Sequence, residues 1–251
     1  MPVQSCPMIA LYTDFGVQDA YVGQMHAVLA RDAPGVPVID LLNNAPDFAI
    51  RAAAHLLPAL AAPLPCQTVF VCVVDPGVGG SREPIAVSAG EKWFVGPDNG
   101  LLTVVEQRST NSIRYRIVWR PDRLSNTFHG RDLFAPVAAR LARQDWDGIE
   151  FLETHEASST GSDWPDEYDA LIYIDHYGNA MTGRRFVSTD SRKRLKVRGQ
   201  YLEFAETFSD VSVGDVFWYE NAYGLVEIAM NQRSAAERLS LHLGDDIELV
   251  D

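Results

Sequence analysis

The chain has 251 residues, 47% of them hydrophobic, and a formal net charge of −13. That apolar share supplies a real core and excludes a disordered polypeptide, and the length fits one large or two small domains. So acidic a chain offers no cationic field to a nucleic-acid backbone or an anionic membrane, which leaves a small-molecule substrate or a protein partner as the expected ligand.

The N-terminus lacks the cationic start and apolar stretch of a signal peptide. The richest apolar region, 52–64, is broken by His55, Pro58 and Pro63, so a soluble, cytoplasmic protein is expected. Met8 to Tyr12 and Thr68 to Val74 are short apolar runs rich in β-branched and aromatic residues, each followed by Asp with glycine soon after, and read as buried strands opening into loops. Between them, Asp19 to Arg31 and Asp47 to Leu60 carry apolar residues at helical spacing, and Val36 to Leu41 reads as another strand. This β-α-β-α-β order predicts an α/β N-terminal domain with a mainly parallel sheet, whose ligand-binding loops gather at the carboxyl ends of the strands.

Ile85 to Ser88, Trp93 to Val95 and Ile113 to Val118 add strands, and Arg131 to Arg143 patterns as a helix with Pro136 in its first turns. From Glu153 to Asp166 the composition turns Ser, Thr, Gly and acidic, which predicts a domain at 1–155, a linker at 156–167 and a second domain at 168–251. The second domain shows short strands at Leu171 to Ile174, Leu195 to Val197, Val216 to Tyr219, Leu225 to Ile228 and Ile247 to Val250, with helix only around Ser234 to Leu239. A smaller all-β, barrel-like unit follows. The basic run from Arg184 to Arg198 is interleaved with apolar and hydroxyl residues and reads as a solvated strand face.

Cys6, Cys66 and Cys72 form neither a closed disulfide set nor a CxxC pair, so reduced, partly buried thiols are expected. His26, His129, His176, Asp14, Asp75 and Asp132 would reach a common metal only through long-range folding, and no HxH, HExxH or CxxC pattern supports one. No metal is expected, and His26 and His55 read as packed histidines. Asp14 and Asp19 flank a glycine turn; each serves equally as a ligand for hydroxyls or an ammonium, or as a turn or helix-cap residue. Asp75 and Arg82 bracket a Pro/Gly-rich loop that lacks the Gly-Lys-Ser/Thr ending of a Walker loop, and spacing alone does not separate a plain ion pair from a pair that positions water.

Six segments stand out in order: Tyr12-Thr13-Asp14-Phe15-Gly16 through Asp19, Val74-Asp75-Pro76-Gly77-Val78-Gly79-Gly80-Ser81-Arg82, Gly96-Pro97-Asp98-Asn99-Gly100, Asn126-Thr127-Phe128-His129-Gly130-Arg131-Asp132, Ile174-Asp175-His176-Tyr177-Gly178-Asn179 and Asn221 to Ala229. Together they resemble the S-adenosyl-L-methionine (SAM) hydrolases that form adenosine, also called SAM hydroxide adenosyltransferases, relatives of the fluorinating and chlorinating enzymes. The resemblance spans nearly the whole chain. It implies an α/β domain followed by a β-barrel-like one, a homotrimer with sites at subunit interfaces, SAM as substrate and no cofactor. It carries a water-handling triad onto Asp75, Arg82 and His129, ribose binding onto Asp14, ammonium binding onto Asp19 and Asp175, and adenine recognition onto Asn179 with Tyr177 and Phe208 on its face.

The triad is lost in the halogenating relatives, so its residues favour hydrolysis over halide-dependent 5′-halo-adenosine synthesis. Two departures bear on binding. Pro46-Asp47-Phe48 stands where the family often has Pro-Phe-Asp or Pro-Trp-Asp, which puts the usual aromatic contact in question. Asn221-Ala222-Tyr223 replaces an Asn-Ser pair and removes a hydroxyl expected at the methionine end. Ala222 is therefore the best sequence argument for a third reading, a protein that binds adenosine or SAM without turnover.

Overall fold

The computed structural model describes residues 7–151 and 160–251. Cys6 and positions 156–159 of the expected linker lie outside them. The chain divides into two compact units, Met1–Trp164 and Pro165–Asp251.

The first unit runs β1 (Met8–Thr13), α1 (Ala20–Asp32), β2 (Val38–Leu42), α2 (Ile50–Ala61), β3 (Thr68–Val73), β4 (Pro84–Ala89), β5 (Lys92–Pro97), α3 (Thr103–Gln107) and β6 (Ile113–Ile117), then a π-helical turn (Gly130–Phe134) leading into α4 (Ala135–Ala142), and β7 (Ile149–Phe151). Its seven strands form one sheet in the order β2-β1-β3-β5-β4-β6-β7. The expected mainly parallel sheet is corrected to a mixed one: β1 pairs parallel with β2 and β3, and β3 with β5, whereas β4 is antiparallel to β5 and β6, and β6 to β7. The cause is local. Gly90, at φ +62, helps turn the chain straight from β4 into β5, and so short a connection permits only an antiparallel pair.

Alternation along the central strands sends side chains to two faces. Ile9, Leu11, Val69 and Val71 pack with Met25 and Leu29 of α1 and with Phe134 and Ala138 from the π turn and α4. On the alternate positions, Phe70 stacks on Phe94 at 4.7 Å, and the buried Tyr12 hydroxyl donates to the Ala53 carbonyl of α2 at 2.8 Å. Each such large side chain removed from water contributes about 1.5–3 kcal/mol. Residues 160–164, assigned by sequence to the linker, pack on this unit: the Thr160 carbonyl accepts from Thr103 Oγ1 at 3.0 Å, and Trp164 lies under the Arg51 guanidinium at 5.8 Å.

The second unit contains β8 (Tyr168–Ile174), β9 (Ala180–Arg185), β10 (Arg194–Val197), β11 (Gln200–Leu202), β12 (Val216–Glu220), β13 (Leu225–Met230), α5 (Ala235–Leu239) and β14 (Ile247–Val250). Its strands form antiparallel sheets ordered β12-β13-β9-β8 and β11-β10-β14. Single bridges join their edges, Ala170 with Asp246 and Phe204 with Trp218. The basic run is neutralised locally, Arg184 by Asp169, Arg185 by Asp166 and Glu167, Lys196 by Glu248 and Arg198 by Asp245.

Among the described residues no helix is long and apolar enough to cross a membrane, and no three His, Cys, Asp or Glu side chains cluster as metal ligands. His55 is fully buried with Nδ1 on the Arg51 carbonyl at 2.9 Å, as a packed histidine should be. His26 is not packed. It lies on the exposed side of α1, which buries only Met25 and Leu29, and its Nε2 meets Asp40 at 2.7 Å. Of the two described cysteines, Cys72 is buried and Cys66 exposed.

Candidate active site

β1 and β3 lie side by side and parallel, so the loops after them leave the sheet together. The β1 loop carries Asp14 and the β3 loop Asp75. Asp75 is held by a fork from Arg82, whose Nε lies 3.1 and 2.9 Å from the two carboxylate oxygens and whose Nη2 makes a further short bond to Oδ2. The pair is desolvated, at 3% and 11% side-chain exposure, so its bidentate geometry must offset the cost of burying two charges. The same Nη2 reaches Nδ1 of His129, from a loop 47 residues away, at 2.9 Å. Asp75, Arg82 and His129 therefore form one continuous chain of side chains.

Two backbone features permit that meeting. Gly79 has φ +81, and a Cβ there would sit 2.5 Å from the Asn126 carbonyl, so only glycine lets the Asp75–Arg82 loop approach the His129 loop so closely. His129 itself directly precedes the π-helical turn, a widened geometry common at functional sites. Burial and the adjacent Arg82 cation push the His129 pKa below its ordinary value, so the ring is neutral at neutral pH. Because a guanidinium only donates, Nδ1 must be the acceptor, and the proton of the neutral ring sits on Nε2.

These groups border a cleft of about 360 Å³ lined by Asp14, Phe48, Asp75, Val78, Phe128 and His129, among others, within the size range of small-molecule sites. Phe15, Tyr21 and Phe128 form an aromatic wall with ring centroids 5.3–5.7 Å apart. Asp14 Oδ2 accepts from the Phe48 N–H at 3.4 Å, and burial pushes its pKa up against the opposing effect of that bond and of its own backbone N–H. Asn99 ties its turn to the segment preceding Asp75, donating to the Val74 carbonyl at 2.9 Å and accepting from Leu101 N at 3.1 Å.

The aromatic contact that Pro46-Asp47-Phe48 put in question is met by Phe48 at the cleft. This residue sits at φ +57, 74% exposed, and lines the cleft one position beyond Asp47. Asp19 occupies the N-cap position of α1 but makes no capping bond and is not among the cleft residues.

The second unit brings together the remaining sequence candidates. Asp175 Oδ1 accepts from Tyr177 N at 2.9 Å and Asn179 N at 2.8 Å, and Oδ2 from Asn179 Nδ2 at 3.0 Å. Gly178, at φ +82, has Ser234 where a Cβ would go, so the turn is seated on the start of α5. Tyr177 and Tyr223 are exposed, and Phe208 packs edge-on against Phe217 and Tyr219 at 5.1 and 5.4 Å. Ala222 is exposed beside the buried Asn221.

A further cluster lies behind that turn. Glu227 is 2% exposed and accepts from Tyr219 OH at 2.5 Å and Asn221 Nδ2 at 2.7 Å. Burial pushes its pKa up, partly offset by those two donors, and burial followed by the Glu227 contact raises that of Tyr219. The available signal was a lone carboxylate inside the apolar strand Leu225–Met230.

Residues 9–150 match the SAM hydroxide adenosyltransferase N-terminal domain and residues 170–248 the C-terminal domain of the same family. An (R)-S-adenosyl-L-methionine hydrolase of Salinispora arenicola is 36% identical over 98% of both chains, and one of Thermus thermophilus is 35% identical over 95% of this chain and 97% of its own. A fluorinase of Actinopolyspora mzabensis is more distant, 25% identical over 98% of this chain and 97% of its own. The crystal structure of an uncharacterized conserved protein from Thermotoga maritima superposes with a TM-score of 0.84 at 31% identity, covering 97% of this chain and all of that one.

Proposed function

The chain belongs to the SAM hydroxide adenosyltransferase family, and from that membership we propose that it hydrolyses SAM to adenosine and L-methionine by attack of water on the ribose 5′ carbon. The observation that carries the reading is the Asp75–Arg82–His129 chain bordering a cleft that also holds Asp14. The sulfonium departs as the neutral thioether of methionine, so neither a metal nor a general acid is needed at the leaving atom. The difficulty lies in the nucleophile, since bulk water has a pKa of about 15.7.

With its Nδ1 committed to Arg82, His129 offers Nε2–H, a donor that fixes the water oxygen. Asp75, oriented by Arg82, takes the proton as the oxygen bonds to C5′ and the C5′–S electron pair returns to sulfur. General-base assistance of this kind contributes about 10²–10⁴-fold. Asp14 accepts from the ribose diol, with Phe48 and Phe128 excluding water.

Asn179, Tyr177 and Phe208 belong to the adenine half of the site, Asp175, Asp19 and Tyr223 to the methionine half, with Ala222 leaving one hydroxyl fewer there. Exposed Phe48 and Tyr21 on the first unit, and Tyr177 and Tyr223 on the second, support a homotrimer in which neighbouring subunits share a site. The two edge bridges of the second unit support reading its sheets as one barrel-like wall.

Incubation of the purified protein with SAM in ¹⁸O-labelled water tests the reaction. Equimolar adenosine and methionine, with label in the adenosine 5′-hydroxyl, is the expected result; label absent from the nucleoside refutes attack at C5′. Chloride or fluoride should yield no 5′-halo-adenosine, and chelators should leave the rate unchanged. Comparison of the two sulfonium epimers checks the (R) preference that the relatives' names suggest. Intact SAM alongside measurable binding would instead establish the non-catalytic reading.

A further inference from the structure

A second, larger cleft of about 800 Å³ opens in the first unit, and six of the chain's 21 basic residues line it: Arg31, Arg120, Arg123, Arg131, Arg140 and Arg143. Three carboxylates, Asp32, Asp122 and Asp132, share the lining, so its formal charge is 6 − 3 = +3 in a chain of net charge −13. Folding has therefore gathered positive charge that the overall composition opposes. Every cation is an arginine, whose planar fork matches phosphate oxygens bidentately where a lysine would offer a point charge.

The arginines are unequally occupied. Arg31 and Arg131 are paired with their neighbours Asp32 and Asp132, each at 2.6 Å. Arg140 and Arg143 reach the Asp147 and Asp145 carboxylates only at 3.6 and 4.0 Å, too long for strong bonds, although Arg140 Nη1 also donates to the Asp147 carbonyl at 3.2 Å and its guanidinium lies over Trp119. Arg120 donates to the Ile117 and Trp119 carbonyls at 2.6 and 2.9 Å, and among the described residues neither it nor Arg123 has a carboxylate partner. Several guanidinium groups thus keep free donors facing one cavity large enough for a chain of phosphates.

We propose that this cleft binds a compact polyphosphate, either free or as the tail of a nucleotide, and that its occupancy acts on the His129 loop. The two clefts share that loop as a wall: Arg131 and Asp132 face the arginine side, Thr127 to Gly130 the other. Arg131 is the link. It grips Asp132 with two bonds, donates to Gln24 Oε1 at 2.7 Å and stacks over Phe128 at 4.9 Å, while Asp132 Oδ2 accepts from Ser125 N at 2.9 Å. A phosphate competing for Arg131 draws it from Asp132 and Phe128 and releases the segment that holds His129. The effect on turnover rests on the hydrolase reading above, whereas binding does not.

Titration calorimetry of the full chain with inorganic tripolyphosphate and with ATP, at constant ionic strength, tests the site. Saturable binding is expected, weakened about tenfold or more in Arg123→Ala/Arg143→Ala, whose side chains carry no short bond the fold depends on. Equal affinity for the two ligands indicates free polyphosphate chemistry, and tighter ATP a nucleotide; either supports the site. The charge-matched double variant Arg194→Ala/Arg198→Ala in the second unit should bind like wild type. No saturable heat at millimolar ligand, or equal weakening by both double variants, overturns the proposal. Saturating tripolyphosphate should slow adenosine formation, and an unchanged rate in a saturated protein overturns the coupling.

Discussion

The two units treat their carboxylates differently. In the first, Asp14 has a long 3.4 Å bond from Phe48 N, and among the described residues the His129 ring has one nitrogen without a partner, so polar capacity is left open toward a cleft. In the second, Asp175 accepts three bonds from its own turn and Glu227 is satisfied by Tyr219 and Asn221. Unsatisfied groups facing a cavity are where chemistry is done, and satisfied ones hold a recognition surface in shape. On the proposed reading, reaction falls to the first unit and positioning to the second, and substitutions in each should fail in different ways.

The largest effect belongs to Arg82→Ala. It strips the one cation from a carboxylate only 3% exposed and removes the donor at His129 Nδ1. Loss of one partner from a buried pair costs about 3–5 kcal/mol. Chemistry should fall by about 10³-fold or more, since the water loses both its orienting groups. Arg82→Lys separates the two losses: a lysine restores charge, and hence much of the denaturation midpoint, but has no fork to reach Asp75 and His129 together, so kcat should stay low. Full activity in the lysine variant would show that charge alone suffices and would remove the geometric argument.

His129 gives the next effect. Its depressed pKa means that the folded state binds the proton less tightly than the unfolded chain. The ring therefore adds no penalty above the ordinary histidine pKa of about 6.5, and stability falls as pH drops from there through the folded value. A protonated ring cannot accept from Arg82, so kcat should fall about tenfold per pH unit along an acidic limb centred below 6.5. His129→Asn should abolish that limb as well as lower kcat. A limb centred above 6.5 would contradict the assigned electrostatics.

How far the sequence spoke for itself also differs between the units. β1, β3 and both early helices were legible because apolar periodicity and the Asp–Gly loop signals agree there, which placed Asp14 and Asp75 at carboxyl ends of strands; that the two strands are neighbours came from the structure. The β4–β5 reversal was hidden, since strand pattern does not carry direction. The π-helical turn at Gly130–Phe134 reads as ordinary helix, because its periodicity differs for only one turn. The meeting of Arg82 with His129 is invisible to spacing, and only the family motifs placed them together. β9 (Ala180–Arg185) was missed because its outer half is basic, and Glu227 because a buried carboxylate contradicts the pattern around it.

In the second unit, Glu227→Ala should cost stability before chemistry. It leaves the Tyr219 hydroxyl and the Asn221 amide without their acceptor, an effect of about 2–4 kcal/mol on a urea midpoint. Asn221 Oδ1 holds the N–H groups of Tyr223 and Leu225, at 2.9 and 3.0 Å, so the turn bearing Ala222 should loosen and KM rise more than kcat falls. Glu227→Gln keeps one acceptor but turns an NH₂ toward a donor, and should fall between wild type and alanine. A kcat loss larger than the KM change would move Glu227 into the reaction and blur the division between the units.

The smallest effect, Phe48→Asn, tests whether the mouth of the first cleft shares in recognition. Phe48 is 74% exposed at φ +57, so its ring has little packing to lose and its backbone sits where asparagine is better tolerated. Stability should change by less than about 1 kcal/mol, because lost contact and relieved strain oppose each other. The Phe48 N–H that holds Asp14 belongs to the backbone and survives the substitution, so the Asp14 carboxylate stays in place. Any rise in KM then reports the ring alone, and a several-fold rise at nearly constant kcat is expected. An unchanged KM would mean that the ring does not cover bound substrate, leaving recognition at that end to the aromatic wall of Phe15, Tyr21 and Phe128.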